Sequence, residues 1–160
     1  MRAIIFPLLV RLPVIPPFTS DGVLPEGKYE CTLPEMDRAF GFSDKRRAIL
    51  GGFRRALNSI PFFDAVKYVL VDGSFVESKR DPSDIDFVLV VDELREGYPS
   101  SNLLHWVAAH HISLKSMYHC DVYVASEGFV ASYWDGKFGL SRQNRPKGMV
   151  RLSSTRRGAP

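Results

Sequence analysis

The chain has 160 residues, enough for one domain of ordinary size, and 45% of them are hydrophobic and 12% aromatic. This composition excludes a wholly disordered chain. The net charge of +3 is small, but all 18 acidic residues lie at or before Asp135, whereas seven basic residues follow it. A mildly acidic body with a basic C-terminal segment is therefore expected.

The first 30 residues are expected to form an extended, turn-rich lead-in. They open with the apolar stretch MRAIIFPLLVRLP, which Pro7 and Arg11 interrupt and which no small-residue cleavage site follows. The stretch is far shorter than the roughly 20 residues that a membrane span needs. An N-terminal strand or arm is expected here, and no membrane contact.

Two helices are expected after the lead-in. A short one spans Glu35 to Phe40 and ends at Gly41, and Ser43 is a favourable N-cap for a longer one that Pro61 ends. The longer helix has apolar residues on one face, namely Ile49, Leu50, Phe53, Ala56, Leu57 and Ile60. The charged pairs Arg46-Arg47 and Arg54-Arg55 are assigned to its solvated face.

Three segments have strong strand patterns: 67–71, 84–91 and 120–125. A helix is expected over Leu103 to His110, and a shorter one over Glu127 to Trp134, with Phe129, Tyr133 and Trp134 in the core.

A final edge strand is predicted over residues 149–152. Together the elements predict an α/β (α+β) fold with a mixed sheet of about four or five strands flanked by helices. The domain is expected over residues 31–136 and the basic segment over 137–160.

Asp84 and Asp86 project from the same face of their strand, because side chains alternate along a strand. Two carboxylates this close raise each other's pKa unless a cation lies between them, and Mg²⁺ accepts oxygen ligands. The alternative is that both act, with Ser83, as turn formers at a solvated strand end. The pair alone does not decide between these interpretations.

Two further signals accompany the pair. Gly73-Ser74 ends the preceding strand, where backbone N–H groups can cradle phosphate oxygens, although an ordinary turn is the commoner reason for such a dipeptide. Asp121 opens the third strand, and a buried-strand aspartate needs either hydrogen bonds or a metal. If the second and third strands are neighbours, Asp121 supplies a third carboxylate.

The segments Val71-Asp-Gly-Ser-Phe75, Ser83-Asp-Ile-Asp-Phe87 and Cys120-Asp-Val-Tyr-Val124 together resemble the motif set of the DNA polymerase β-like nucleotidyltransferase superfamily. Within it, the chain looks most like small, uncharacterised bacterial stand-alone members. The three-part motif covers residues 67–125, and a weaker similarity extends over about 15–152.

The resemblance implies a metal-dependent transfer of a nucleoside monophosphate from an NTP. Asp84 and Asp86 would hold one Mg²⁺ (or Mn²⁺) against the phosphates and, with Asp121, a second one that lowers the pKa of the attacking hydroxyl. Gly73 and Ser74 would bind the outgoing pyrophosphate. Catalysis would then rest on positioning and charge neutralisation.

The sequence leaves the acceptor of the nucleotide and the partners of the protein open. Lys79 and Arg80 lie between Gly73-Ser74 and Asp84, where they could reach a triphosphate or stay solvated. The basic segment could bind RNA phosphates or simply keep the protein soluble. Only 39 residues follow Asp121, too few for the second domain of larger superfamily members. A protein partner completing the site, an acceptor gripped by the basic segment, and vestigial activity all stay open.

Two hypotheses of different classes follow, with a weaker third. The first is an enzyme that transfers NMP to a protein or RNA hydroxyl, for example of tRNA, in a toxin–antitoxin or defence locus that only the resemblance implies. The second is a catalytically weak nucleotide- or RNA-binding partner subunit with the same fold. The third is metal-dependent phosphodiester hydrolysis. A cytoplasmic location is expected because Cys31 and Cys120 form no disulfide framework. A zinc site is not expected, since no histidine has a cysteine or carboxylate partner at zinc-ligand spacing.

Overall fold

A computed structural model describes residues 14–153. The apolar stretch for which an N-terminal strand or arm is expected, and Arg156 and Arg157 of the basic segment, lie outside this range. Five strands form one sheet in the order β1-β5-β2-β3-β4. They are β1 (Lys28–Cys31), β2 (Val66–Asp72), β3 (Ile85–Val91), β4 (Cys120–Ser126) and β5 (Met149–Ser153).

The sheet is mixed: β2 runs antiparallel to β3 and β5, while the pairs β3–β4 and β1–β5 are parallel. The helices within residues 14–153 are α1 (Leu33–Phe40), α2 (Asp44–Ser59), α3 (Pro99–Tyr118), α4 (Glu127–Phe129) and α5 (Asp135–Phe138). A π-helical turn, Val130–Trp134, joins α4 to α5, and 3₁₀ turns lie at Phe63–Ala65 and Gly73–Val76. The predicted fold class, a mixed sheet of four or five strands flanked by helices, is confirmed.

The helix ends follow from local chemistry. Thr32 and Glu35 form a capping box at the start of α1, and the Ser43 hydroxyl accepts a hydrogen bond from the Arg46 backbone N–H at the start of α2, as predicted. The helix α3 is much longer than the predicted segment. It begins at Pro99, a residue favoured in a first helical turn, and ends where His119 adopts a left-handed conformation with φ +56°.

The predicted last strand exists, but its position at the edge of the sheet is wrong. β5 lies inside the sheet between β1 and β2, because residues Lys28–Cys31 of the expected lead-in form the edge strand beside it. Val150 and Leu152 of β5 are buried in the main core. The folded unit therefore extends beyond the predicted bounds of 31–136 at both ends.

The two faces of the sheet have different covers. Helices α1, α2 and α3 pack on one face, against residues such as Val69, Phe87 and Leu89. The helical segment 127–138 covers the other, where Trp134 and Phe138 lie over a second apolar cluster. Trp134 is buried as expected, whereas Phe129 and Tyr133 are about half exposed, so that their assignment to the core is wrong.

The described helices include none that combines the length and apolar character needed to cross a lipid bilayer.

Candidate functional site

Three aspartates lie side by side on three neighbouring strands. The strand register pairs Asp72 of β2 with Asp86 of β3, and Asp86 with Asp121 of β4. Asp84 lies two residues before Asp86, directly ahead of β3. The sheet thus brings together the predicted trio Asp84, Asp86 and Asp121, because β3 and β4 are neighbours. It adds Asp72, which the sequence reasoning did not select as a site residue.

Two side chains of α3 bind the outer carboxylate of this row. Asp121 is hydrogen bonded at 2.7 Å to His111 Nε2 and, at 2.7 Å, to Lys115 Nζ. The Lys115 ammonium also lies 3.6 Å from Asp84 Oδ2 and so bridges two of the predicted ligands. Burial pushes the pKa of Asp121 up, but the hydrogen bonds from Lys115 and His111 outweigh it and hold that pKa below its ordinary value. Asp121 is therefore ionised and compensated at neutral pH.

Asp86, at the centre of the row, carries poorly compensated charge. Burial, followed by the nearby charges of Asp84 and Asp121, raises its pKa to about 6. Asp72, the cross-strand neighbour of Asp86, is also buried. Burial raises the pKa of the Asp72 carboxyl to about 7, although the nearby Lys147 ammonium acts to lower it. Carboxylates held together in this way favour an added cation.

The turn that follows β2 lies directly beside Asp86. Gly73 has φ +77°, and a Cβ atom added there would lie only 2.9 Å from Asp86 Cγ and closer still to Asp86 Oδ2. Glycine is therefore required twice, for the left-handed backbone and for the close approach of the carboxylate. The sequence-predicted phosphate turn, Gly73-Ser74, is thus packed against the predicted metal ligand Asp86.

Gly73→Ala is expected to cost stability and displace Asp86. The left-handed alanine alone costs roughly 1 kcal/mol, and the contact with Asp86 adds to it. Gly97→Ala is the matched control, since Gly97 has φ +79° with nothing within 4 Å of an added Cβ. Urea unfolding of both variants gives the difference. Equal losses in the two variants would show that Asp86 does not confine the turn.

A cavity of about 220 Å³ opens between this turn and the C-terminal segment. The sheet and turn contribute Asp72, Gly73, Ser74, Glu77 and Asp86, and the C-terminal segment contributes three cations. These cations are Lys137, Arg142 and Lys147. The first part of the predicted basic segment is therefore folded against the carboxylates. Of its other described charges, Arg145 pairs with Asp21 and Arg151 stacks on Tyr68.

Lys147 is the buried cation of the cavity, with only 2% of its side chain exposed. Its ammonium lies 2.9 Å from Asp72 Oδ1 and 3.0 Å from Glu77 Oε1, and it donates to the Gly73 carbonyl oxygen at 3.2 Å. Lys147 thereby ties β5 to the turn after β2. The sequence does not show which carboxylates Lys147 binds, since these partners lie some 70 residues away.

The prediction that Arg46 lies on the solvated face of α2 is wrong. Its guanidinium is fully buried and donates to the backbone carbonyl oxygens of Phe75 and Lys79, at 2.7 and 2.9 Å, and also to those of Phe40 and Glu77. Arg46 lies three residues before Ile49 and seven before Phe53, so the apolar period of α2 already includes it. Arg47, by contrast, is exposed as predicted.

Lys79 and Arg80 lie on the loop that Arg46 holds. Their side chains are exposed, and neither residue lines the cavity. Their backbone carbonyls bind Arg46 and the Ser43 hydroxyl, respectively. The structure thus gives this spacer a fixed backbone, and contact of its two cations with a triphosphate stays a prediction.

A divalent cation such as Mg²⁺ needs hard oxygen ligands that carry negative charge. Asp84, Asp86 and Asp121 offer only hard oxygen donors, and the charge of Asp86 is poorly compensated. Asp72 is already paired, because its Oδ1 lies 2.9 Å from the Lys147 ammonium. Within residues 14–153 no three His, Cys, Asp or Glu side chains form a ready-made metal-binding group, and the Lys115 ammonium contacts both Asp84 and Asp121. The three carboxylates have the donor chemistry for such an ion, whose binding would require the half-exposed Lys115 side chain to turn away.

Fold and site together define an α+β protein with a row of carboxylates, and a cavity of mixed charge beside it, at one end of a mixed sheet. The chain belongs to the family of unknown function DUF6932, whose profile matches residues 16–153. Neither a curated protein nor a solved structure matches the chain.

Proposed function

We propose that this protein is a metal-dependent nucleotidyltransferase that transfers NMP from an NTP to a protein or RNA hydroxyl. The observation that carries the proposal is the register that aligns Asp72, Asp86 and Asp121, with the Gly73-Ser74 turn packed against Asp86. A carboxylate row beside a glycine turn and a cation-lined cavity is the combination that phosphoryl chemistry needs.

In this proposal the carboxylates and the cavity have separate roles. Asp84, Asp86 and Asp121 would hold Mg²⁺ or Mn²⁺, which neutralises phosphate charge and makes the attacking hydroxyl more acidic. Gly73 and Ser74 line the cavity and would orient the departing pyrophosphate. The chain's own residues therefore act by binding, alignment and charge compensation rather than by covalent catalysis.

The second candidate is a catalytically weak nucleotide- or RNA-binding subunit with the same fold. One observation favours it: the Lys115 ammonium already bridges Asp84 and Asp121, where the proposed ion would bind. A partner protein that draws Lys115 away would complete such a site. We also propose that the protein is cytoplasmic, because both described cysteines are free thiols and are buried.

Incubation with each α-labelled NTP, Mg²⁺ or Mn²⁺, and total tRNA or cell lysate tests the proposal. Label should appear on a macromolecule and should be lost in Asp84→Ala and Asp121→Ala. Asp92→Ala is the control, since Asp92 is 78% exposed and follows the opposite end of β3. NTP binding without transfer would favour the binding subunit, and release of free NMP would favour hydrolysis.

A further inference from the structure

We propose that Lys137 and Arg142 form a polyphosphate-binding subsite opposite the Gly73-Ser74 turn. The inference rests on the proposed function, since it names the residues that would recognise the phosphates of the NTP. It assigns the first part of the basic segment to the nucleotide rather than to the acceptor.

The charge balance of the cavity is the first reason. Lys147 is occupied by the carboxylates of Asp72 and Glu77. Lys137 and Arg142 line the same cavity, yet neither forms an ion pair with a carboxylate of the described chain. The cavity therefore holds two cations without a carboxylate partner, and its other poorly compensated charge is the Asp86 carboxylate. A polyphosphate that carries Mg²⁺ matches both, because the anion pairs with the cations and the metal with the carboxylate.

The second reason is that the fold positions both residues, Lys137 through its side chain and Arg142 through the backbone of its loop. The Lys137 ammonium lies 4.9 Å from the centre of the Trp134 ring, a contact that orients it without neutralising it. Arg142 lies on a closed loop in which the Ser141 hydroxyl accepts hydrogen bonds from the backbone N–H groups of Gln143 and Arg145. A bridge between Leu140 and Pro146 closes this loop at its base. The loop presents Arg142 as part of the fold, which lowers the entropy lost on binding.

The third reason is the location of the cavity. It includes Gly73, Ser74 and Asp86 as well as the two cations, so a phosphate chain bound there lies next to the carboxylate row. The cavity is small, about 220 Å³, which suits the phosphate chain of a small molecule, whereas a nucleic acid backbone requires a groove several nucleotides long. The occupant we assign is the polyphosphate of a nucleotide.

Calorimetric titration with inorganic tripolyphosphate and Mg²⁺ tests the subsite on the full chain. Lys137→Gln and Arg142→Gln should each weaken binding by about tenfold, the loss expected for one charge-assisted contact. Arg145→Gln is the matched control, because it removes the same charge from the same loop but at a residue that pairs with Asp21.

Several outcomes would overturn the subsite. Wild-type protein that does not bind tripolyphosphate, or variants that bind it like wild type, would do so. So would variants that keep tripolyphosphate affinity but lose tRNA binding, which would make the segment an acceptor surface. The transfer assay tests the proposed function separately. If tripolyphosphate binding depends on Lys137 and Arg142 but the protein shows no transfer, the subsite is supported and the proposed enzyme activity is wrong.

Discussion

Asp86→Asn should abolish nucleotidyl transfer while making the protein more stable at neutral pH. The amide keeps the shape of the side chain but removes the charge at the centre of the carboxylate row. A metal ligand of this kind contributes several kcal/mol to the transition state, so a loss on the order of 10³-fold in rate is expected. The α-labelled NTP assay measures it, and Asp92→Asn, at the opposite end of β3, should keep full activity.

The gain in stability follows from the pKa of Asp86, which burial, with Asp84 and Asp121, raises to about 6 from 3.8. Well below pH 3.8 the carboxyl is protonated in both the folded and the unfolded chain. As the pH rises through 6 the folded chain must hold an unfavourable charge, so wild type loses stability that the variant keeps. The difference in unfolding free energy should reach up to about 3 kcal/mol in favour of Asp86→Asn.

Urea unfolding in EDTA at pH 3 and pH 7.5 measures this difference. It should be near zero at the lower pH and positive for Asp86→Asn at the higher one. A variant less stable than wild type at pH 7.5 would contradict the electrostatic account of Asp86. A stable variant with wild-type transfer would contradict its proposed catalytic role.

Arg46→Met should lower the free energy of unfolding by about 3–5 kcal/mol, the cost of losing one partner from a buried charged network. Methionine can fill much of the space between the Phe42 and Phe75 rings, over which the guanidinium lies. It cannot donate to the carbonyl oxygens that Arg46 now binds, and these would be left buried without partners. Burial lowers the pKa of Arg46 to about 10, which still leaves it charged at neutral pH.

Arg47→Met is the matched control on the same helix. Arg47 is exposed and pairs with Asp44, so its loss should cost less than about 1 kcal/mol. Arg46→Lys should also be destabilised, because an ammonium cannot reproduce the planar set of donors. Thermal and urea unfolding followed by circular dichroism compare the three variants. Equal stability of Arg46→Met and Arg47→Met would show that the buried network adds nothing.

Periodicity in the sequence was sufficient to predict the central strands and α2. Apolar runs, helix caps and the alternation of Asp84 and Asp86 depend on neighbours within a few residues, so they can be recognised locally. The same local rule misplaced Arg46. Its charge suggested solvent, although its spacing from Ile49 and Phe53 put it on the apolar face. Only the loop that folds over α2 supplies the carbonyl oxygens that make burial of this charge favourable.

The candidate site divides in the same way. The motif residues Asp84, Asp86, Gly73 and Ser74 were found from their spacing, and Asp121 depended on an assumption about neighbouring strands. That β3 and β4 are neighbours is now established by the register. Asp72 cannot be recognised as a site residue from the sequence, because aspartates are common at strand ends. Its role becomes visible only when its partner across the sheet is known.

The sequence by itself determined that this chain folds as an α+β domain and that its acidic motifs belong to consecutive elements. Tertiary structure alone decided that β5 lies inside the sheet, that Lys115 bridges two of the aspartates, and that Lys137, Arg142 and Lys147 return to the same cavity. The physical reason is range. Propensity and periodicity reflect neighbours within a few residues. Strand order and ion pairs also depend on residues far apart in the chain, such as Asp72 and Lys147, which are more than 70 positions apart.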